Sequence, residues 1–319
     1  MSYAPYFLFF IGIILISIGA NLLVKYTEYI SKDLNISYFF SSLIFIGLAT
    51  SSPEIFISIL SSLSNKSNIA IGNALGSNIA NIALVFSVSL FFIKFNKNIF
   101  KNVFEKGKKA FMLYSLLLSM SLFPILMDGK VNLIDSLALI VTFLLFLITI
   151  RLWYPDEMKN ETNNESSNLG INSLVVVISV IILLFGTQIF LDSAEMIAAT
   201  FGVPNYIIGL SITAIGTSLP ELAAGIESAR KGNVEFIVGN ILGSNIFNIV
   251  IVMGLVGFID YNPTYNIEFL ESARDIIMII FTTMLLIVIS KNYNVYLSRI
   301  INIILFAAFI VYQINLYEF

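Results

Sequence analysis

Long runs of apolar residues alternate with short polar connections along the whole chain. A helix that crosses the core of a bilayer needs about 20 apolar residues. Two runs, 36–64 and 203–229, are long and are interrupted by Gly, Ser and Pro. The pattern predicts an all-α membrane protein of ten transmembrane helices, near residues 4–24, 36–64, 67–93, 109–127, 133–152, 171–195, 203–229, 234–259, 274–290 and 297–316.

The composition also indicates a membrane protein. Hydrophobic residues make up 58% of the chain and charged residues 12%, whereas soluble domains have about 45–50% apolar and about 25% charged residues. The chain has no cysteine and no histidine, which excludes disulfides, thiolate metal sites and imidazole proton chemistry. The short loops favour a prokaryotic plasma membrane.

The positions of Lys and Arg predict how the helices are oriented. If the N-terminus is outside, 14 of the 17 basic residues lie on the cytoplasmic side, and Lys66, Lys130 and Arg274 lie outside. This split follows the positive-inside rule and places both termini outside. A solvated cytoplasmic loop explains the basic segment 94–109, so no nucleic-acid partner is expected.

The two halves of the chain repeat each other at an offset of 167 positions, which places Glu54 on Glu221. The match is closest between GNALGSNIANI (72–82) and GNILGSNIFNI (239–249), with nine identities in eleven positions. Five spans separate equivalent points, so the second half must enter the membrane from the opposite side. We therefore predict two inverted five-helix repeats, 1–153 and 171–319, joined by a cytoplasmic polar linker, 154–170.

A proline and a glutamate occur together in both interrupted runs, in TSSPE (50–54) and TSLPE (217–221). Broken helices are tolerated in a membrane where the freed backbone lines a cavity or is buried in protein. A carboxylate at that depth costs roughly 2.5–3.5 kcal/mol and usually marks an ion or substrate path. Break and charge together predict a cation site at the bilayer midplane.

Further oxygen ligands have regular spacing around these glutamates. Thr50 and Glu54 are four residues apart, which predicts one shared helix face. Ser77 and Asn81 have the same spacing on the next helix, and the repeat mates of the four residues are Thr217, Glu221, Ser244 and Asn248. For the Ser and Asn residues, hydrogen bonding between helices is an alternative role.

The candidate ligands are all hard oxygen atoms, which suit Ca²⁺, Na⁺ or Mn²⁺ rather than zinc or copper. Ca²⁺ takes six to eight oxygens and often binds carboxylates through both atoms. Two such glutamates with the carbonyls of Thr50 and Thr217 would supply six. Two glutamates also neutralise either one Ca²⁺ or two monovalent ions, and this equivalence permits exchange.

The motif pairs TSSPE with GNALGSNIANI and GTSLPE with GNILGSNIFNI resemble the two α-repeats of the calcium/cation antiporter superfamily, specifically its sodium/calcium exchanger branch. The resemblance implies that helices 2, 3, 7 and 8 surround the ions and that helices 1 and 6 slide across this core during alternating access. It also implies a role for each motif residue: Glu54 and Glu221 as shared Ca²⁺ and Na⁺ ligands, Thr50 and Thr217 as carbonyl ligands of Ca²⁺, Ser51, Ser77, Ser218 and Ser244 in Na⁺ sites, and Gly47 and Ala214 as assisting carbonyls.

The sequence departs from the family pattern at two places. Ala49 stands where the motif usually has glycine, which is present at the repeat mate Gly216. Asparagine stands at both Asn81 and Asn248, whereas some relatives have an aspartate at one of these positions. The core then has two carboxylates, which leaves the stoichiometry and the coupling ion open.

We expect a secondary antiporter, not an enzyme, that exchanges Ca²⁺ for Na⁺ across the lipid bilayer, without a cofactor or an obligate protein partner. Exchange coupled to H⁺, or dependent on K⁺, is the alternative, and a passive cation channel is a third possibility. An intramembrane hydrolase is a remote alternative, because the chain has no histidine and no lysine near a serine within a predicted span.

Overall fold

The computed structural model describes residues 4–93, 100, 103, 106–153, 168–201, 214–260, 267–291 and 294–317. These residues confirm the all-α architecture of two inverted repeats. The helices are α1 (Ala4–Asp33), α2 (Tyr38–Thr50 and Ser52–Leu63), α3 (Ser67–Phe91), α4 (Lys106–Ile125), α5 (Leu133–Trp153), α6 (Leu169–Thr200), α7 (Ala214–Thr217 and Leu219–Arg230), α8 (Val234–Ile259), α9 (Phe269–Lys291) and α10 (Val295–Tyr317). Residues 203–213 of the predicted seventh span and 154–167 of the predicted linker lie outside the described residues.

Three helices are longer than the apolar runs predict. The first helix continues to Asp33 and the sixth to Thr200, and the ninth begins at Phe269. Hydropathy reports the part of a helix that lies in hydrocarbon, but backbone hydrogen bonds continue beyond it. The 30 residues of α1 span about 45 Å at 1.5 Å per residue, which exceeds a bilayer core of about 30 Å.

The helices α1 and α6 pack closely through small residues. A Cβ on Gly19 would lie 2.8 Å from the backbone nitrogen of Leu183, and a Cβ on Gly186 would lie 2.9 Å from the backbone nitrogen of Ile16. Gly19 and Gly186 are repeat mates, so the crossing of the two helices obeys the internal symmetry. Small residues allow this approach between membrane helices.

The centre of the molecule is formed by α3 and α8, flanked by α2 and α7. Buried residues make up 78% of the apolar window of α3 and 83% of that of α8, against 33% for both α1 and α6. Glycines allow α8 to approach the first half of α2, since a Cβ on Gly243 would lie 2.2 Å from the carbonyl oxygen of Leu43. The broken helices are therefore held in the interior, as the resemblance implies.

We name the two sides of the membrane by the chain ends they hold. The N-terminal face holds the Ala4 end of α1, and the linker face holds the Trp153 end of α5. The second half of α2 and the last turns of α6 run towards the N-terminal face, while α7 runs towards the linker face.

The contact between α8 and α2 predicts a difference between two glycines on α8. Gly243→Ala should lower the melting temperature of the purified protein, with a loss of about 1–3 kcal/mol from overpacking against the Leu43 backbone. Gly254→Ala is the matched control, because its Cβ would lie 3.9 Å from Ile140. Both changes improve helix propensity equally, so equal melting temperatures in detergent would contradict the close approach.

Candidate ion-binding site

Two equivalent breaks bring non-helical backbone into the centre of the protein. The two halves of α2 meet at Ser51, with φ −79° and ψ 6°, and are bent by 43°. The two described parts of α7 meet at Ser218, with φ −89° and ψ 5°. A proline occupies the first turn after each break, where its missing N–H leaves no hydrogen bond unmade.

The breaks correct one expectation from the sequence. Thr50 ends the first half of α2, and Glu54 lies in the first turn of the second half. The two residues therefore do not share one continuous helix face, because the helix is interrupted at Ser51 between them. The carboxylate instead lies at a helix N-terminus, where the helix dipole favours negative charge.

The two glutamates are buried acids without a basic partner among the described residues. Glu54 and Glu221 are both 0% exposed, and Ser244, which contacts Glu221, also lies beside Thr50 of the first break. Ser77 donates a hydrogen bond to Oε1 of Glu54 at 3.2 Å, and Ser244 donates to Oε1 of Glu221 at 3.4 Å. The ion pairs of the described residues, Lys108–Glu235 and Arg274–Asp275, involve neither glutamate.

Several oxygen atoms of this region have no hydrogen-bond partner in the part of the chain that the structure describes. Buried polar atoms are nearly always hydrogen-bonded in folded proteins, so a group of unpartnered acceptors is typical of a site that binds cations. They are Oε2 of Glu54 and Glu221, Oγ of Ser51 and Ser218, and Oδ1 of Asn81 and Asn248.

Residues of the first break also contact the second repeat. Thr50 donates to Oδ1 of Asn240 at 3.2 Å, and its hydroxyl lies 3.2 Å from that of Ser244. Ser244 also lies 3.3 Å from the carbonyl oxygen of Gly47. A side chain at Gly47 would lie 3.0 Å from the backbone of α8, so this position favours glycine.

The second break has the corresponding residues Thr217 and Ala214 on its N-terminal side. Thr217 is buried at 4% exposure and lies beside the break at Ser218. Ala214 is the first described residue of α7, and nothing is described of its side chain. The structure thus brings Thr50, Ser51, Ser77, Ser244 and both glutamates together.

A pair of asparagines joins the two repeats on their symmetry axis. Asn78 donates to the carbonyl of Asn245 at 3.4 Å, and Asn245 donates to the carbonyl of Asn78 at 3.2 Å. The two residues are 167 positions apart, so each bonds its own repeat mate. The sequence pattern gave a signal for this pair, since both lie in GSNI, but only the fold shows that they meet.

The asparagines around this pair break the symmetry. Asn81 donates through Nδ2 to Oδ1 of Asn245 at 3.0 Å. The equivalent bond would join Nδ2 of Asn248 to Oδ1 of Asn78, yet neither atom has a hydrogen-bond partner among the described residues. One of two equivalent bonds is formed.

Short π-helical turns begin at the two equivalent asparagines, at Asn81–Phe86 and Asn248–Val252. Such turns interrupt the regular hydrogen bonds of an α-helix and are frequent at functional sites. The sequence pattern did not predict them, because apolar periodicity does not distinguish one π-turn within an α-helix.

The chain matches the family model described as sodium/calcium exchanger protein over two segments, 4–152 and 171–317. The chain belongs to the sodium/calcium exchanger family. It is thus a multi-pass membrane protein of a family of exchangers, and its motif glutamates lie at the breaks of a two-repeat exchanger fold.

Relatives and solved structures cover nearly the whole length of this exchanger. The inner membrane protein YrbG of Escherichia coli is 29% identical, over 97% of this chain and 96% of its own length. The sodium/calcium exchanger MaX1 of Methanosarcina acetivorans is 26% identical, over 89% of this chain and 91% of its own. A structure of the sodium-calcium exchanger NCX_Mj matches with a TM-score of 0.78 and 27% identity, covering 98% of both chains.

The close approach of Leu191 favours glycine at the second break, where the first break has alanine. A Cβ on Gly216 would lie 1.9 Å from Cδ2 of Leu191. Ala49 packs instead against the cluster that contains Val24, and Val24 is the repeat mate of Leu191.

Two clefts related by the repeat extend from the surface of the exchanger towards its centre. The first, of about 420 Å³, lies between α6 and the second half of α2 and reaches Thr217. The second, of about 230 Å³, lies between α1 and α7 and is lined by Leu219 and Leu222 at its inner part and by Glu227 and Arg230 further out. The charged residue of the first cleft, Asp192, lies on the half of α6 towards the N-terminal face, and those of the second, Glu227 and Arg230, lie at the end of α7 towards the linker face.

The asymmetric amide bonds predict that two repeat mates differ in their contribution to stability. Asn245→Leu removes the acceptor of Asn81 and the donor to Asn78, whereas Asn78→Leu removes one donor. Since a buried polar group left unpaired costs about 1–3 kcal/mol, Asn245→Leu should lower the melting temperature in lipid nanodiscs more than its mate. Equal melting temperatures of the two variants would contradict the asymmetry.

Proposed function

We propose that the chain is a secondary active antiporter that exchanges Ca²⁺ for Na⁺ by alternating access, with the ions bound between Glu54 and Glu221. The observation that carries the proposal is the pair of fully buried carboxylates, one from each repeat, with no basic partner among the described residues. Two buried charges that repel each other are costly unless cations neutralise them. One Ca²⁺ or two Na⁺ ions would do so equally.

The surrounding oxygens support both ions. Ca²⁺ accepts six to eight oxygen ligands in flexible geometry, and these ligands are commonly carboxylate and backbone carbonyl oxygens. The two glutamates and the carbonyls of Thr50 and Thr217 provide oxygens of both kinds. The hydroxyls of Ser51, Ser77, Ser218 and Ser244 and the amide oxygens of Asn81 and Asn248 are neutral ligands. Neutral oxygens add no charge, so they suit a monovalent ion at each end of the site, with Gly47 and Ala214 as carbonyl ligands.

The two clefts support an alternating-access mechanism. In the proposed mechanism, the glutamates are reached from one face at a time, and the paired helices α1 and α6 move together across the core. The larger cleft reaches Thr217 from the N-terminal face, which corresponds to access from that face. By the predicted orientation, this face is the outside of a prokaryotic plasma membrane and holds both termini.

The proposed coupling predicts which gradient drives transport. Proteoliposomes loaded with Na⁺ and diluted into Na⁺-free medium at constant pH should accumulate radiolabelled Ca²⁺, because each Ca²⁺ that enters requires Na⁺ to leave. The control has equal Na⁺ on both sides, and parallel samples carry only a K⁺ gradient or only a pH gradient. Accumulation driven by the pH gradient alone would identify the exchanger as H⁺-coupled and contradict the sodium proposal.

Removing one charge at the site should weaken Ca²⁺ binding and lower this exchange. Glu54→Gln and Glu221→Gln keep the side-chain shape but leave one positive charge of Ca²⁺ uncompensated, so the apparent affinity should fall by at least about tenfold. Glu271→Gln is the matched control, because Glu271 is an exposed carboxylate on α9. If both glutamine variants retain the uptake of the wild type, the glutamates do not bind the ion.

A further inference from the structure

The two clefts share repeat-related lining positions, such as Phe56 with Ala223 and Thr187 with Ala20, but their charges differ. In the larger cleft, Asp192 is the one charged side chain among the described lining residues. The smaller cleft is lined by both Glu227 and Arg230, whose charges cancel. An incoming cation therefore meets a net negative charge in the cleft at the N-terminal face and a neutral pair in the cleft at the linker face.

The charge of Asp192 is not conserved between the two repeats. Under the offset of 167 residues, Asp192 on α6 corresponds to Lys25 on α1, so the two equivalent positions carry opposite charges. The hydrogen bonds of the residues one helical turn earlier also differ between the repeats. Gln188 donates to Oδ1 of Asp192 at 2.7 Å on its own helix, whereas its mate Asn21 donates to Glu227 on α7 at 2.8 Å.

The position of Asp192 suits attraction of ions rather than their final coordination. Asp192 is exposed, whereas the glutamates at the breaks are fully buried. The same cleft extends to Thr217, next to the break at Ser218. The hydrogen bond from Gln188 holds the carboxylate along the cleft wall, and the walls between these two ends are largely apolar, which concentrates the field of a charge at the mouth.

We infer that Asp192 is an electrostatic entry residue that raises the local concentration of Ca²⁺ and Na⁺ in the cleft at the N-terminal face. This inference rests on the proposed function and assigns to the exchanger an affinity difference between its two faces. Asp192 acts on the ions through space and is not one of their ligands in the bound state.

The size of the effect follows from Coulomb's law. Neutralising a carboxylate about 10 Å from an ion in water should raise the half-saturating concentration roughly fourfold for a divalent ion and roughly twofold for a monovalent ion. The effect should shrink towards zero as added salt shortens the Debye length well below that distance. A ligand that is lost from the site would instead act at every ionic strength.

The test compares Asp192→Asn with the wild type in right-side-out and inside-out membrane vesicles. Half-saturating concentrations of Ca²⁺ and Na⁺ are measured on each face, at low ionic strength and after addition of N-methylglucamine chloride. On the N-terminal face at low ionic strength, the half-saturating concentration should rise about fourfold for Ca²⁺ and about twofold for Na⁺ in Asp192→Asn. The maximal transport rate should stay near that of the wild type. On the linker face we expect no change.

Two further variants separate charge from shape. Asp192→Glu keeps the charge and should restore the affinities of the wild type. Asp128→Asn removes an exposed carboxylate from the same face outside the cleft and should change nothing. Unchanged affinities in Asp192→Asn, equal shifts on both faces, or shifts that persist at high salt would overturn the inference, whereas absence of Ca²⁺ transport in the wild type would overturn the proposed function.

Discussion

The structure depends on the burial of two like charges at the centre of a membrane protein. Glu54 and Glu221 each follow a break in a helix, and the described residues offer them serine hydroxyls but no basic side chain. Neither the hydrophobic effect nor helix propensity favours such an arrangement. In the proposed function, bound cations neutralise this charge and are released during transport. The breaks and the surrounding hydroxyl and amide oxygens lie beside these two carboxylates.

The inverted repeat gives each half of the molecule the same set of parts. The crossing of α1 and α6 at Gly19 and Gly186, the bond from a serine to each glutamate and the contact between Asn78 and Asn245 all obey the symmetry. The departures from symmetry are local. They include the amide bond of Asn81, alanine at position 49 against glycine at 216, and the charges that line the two clefts.

Much of this organisation could be predicted from the sequence, because hydropathy, the internal repeat and the proline–glutamate pairs are strong signals. The all-α fold and the two inverted repeats are confirmed. Helix ends were less accurate, since α1 continues to Asp33 through polar residues that lie beyond its apolar run. The interruption between Thr50 and Glu54 and the bonds between Asn78 and Asn245 depend on contacts between distant segments. Spacing along one helix contains no information about such contacts.

The unequal amide bonds have a consequence for the energy of the exchanger. If each half adopts the conformation of the other, the bond from Asn81 to Asn245 is replaced by one from Asn248 to Asn78, with the same donor and acceptor chemistry. The number of hydrogen bonds at the axis is then conserved. The two conformations therefore differ little in the enthalpy of these amide hydrogen bonds. A small difference in free energy from another part of the molecule then suffices to decide which conformation is populated.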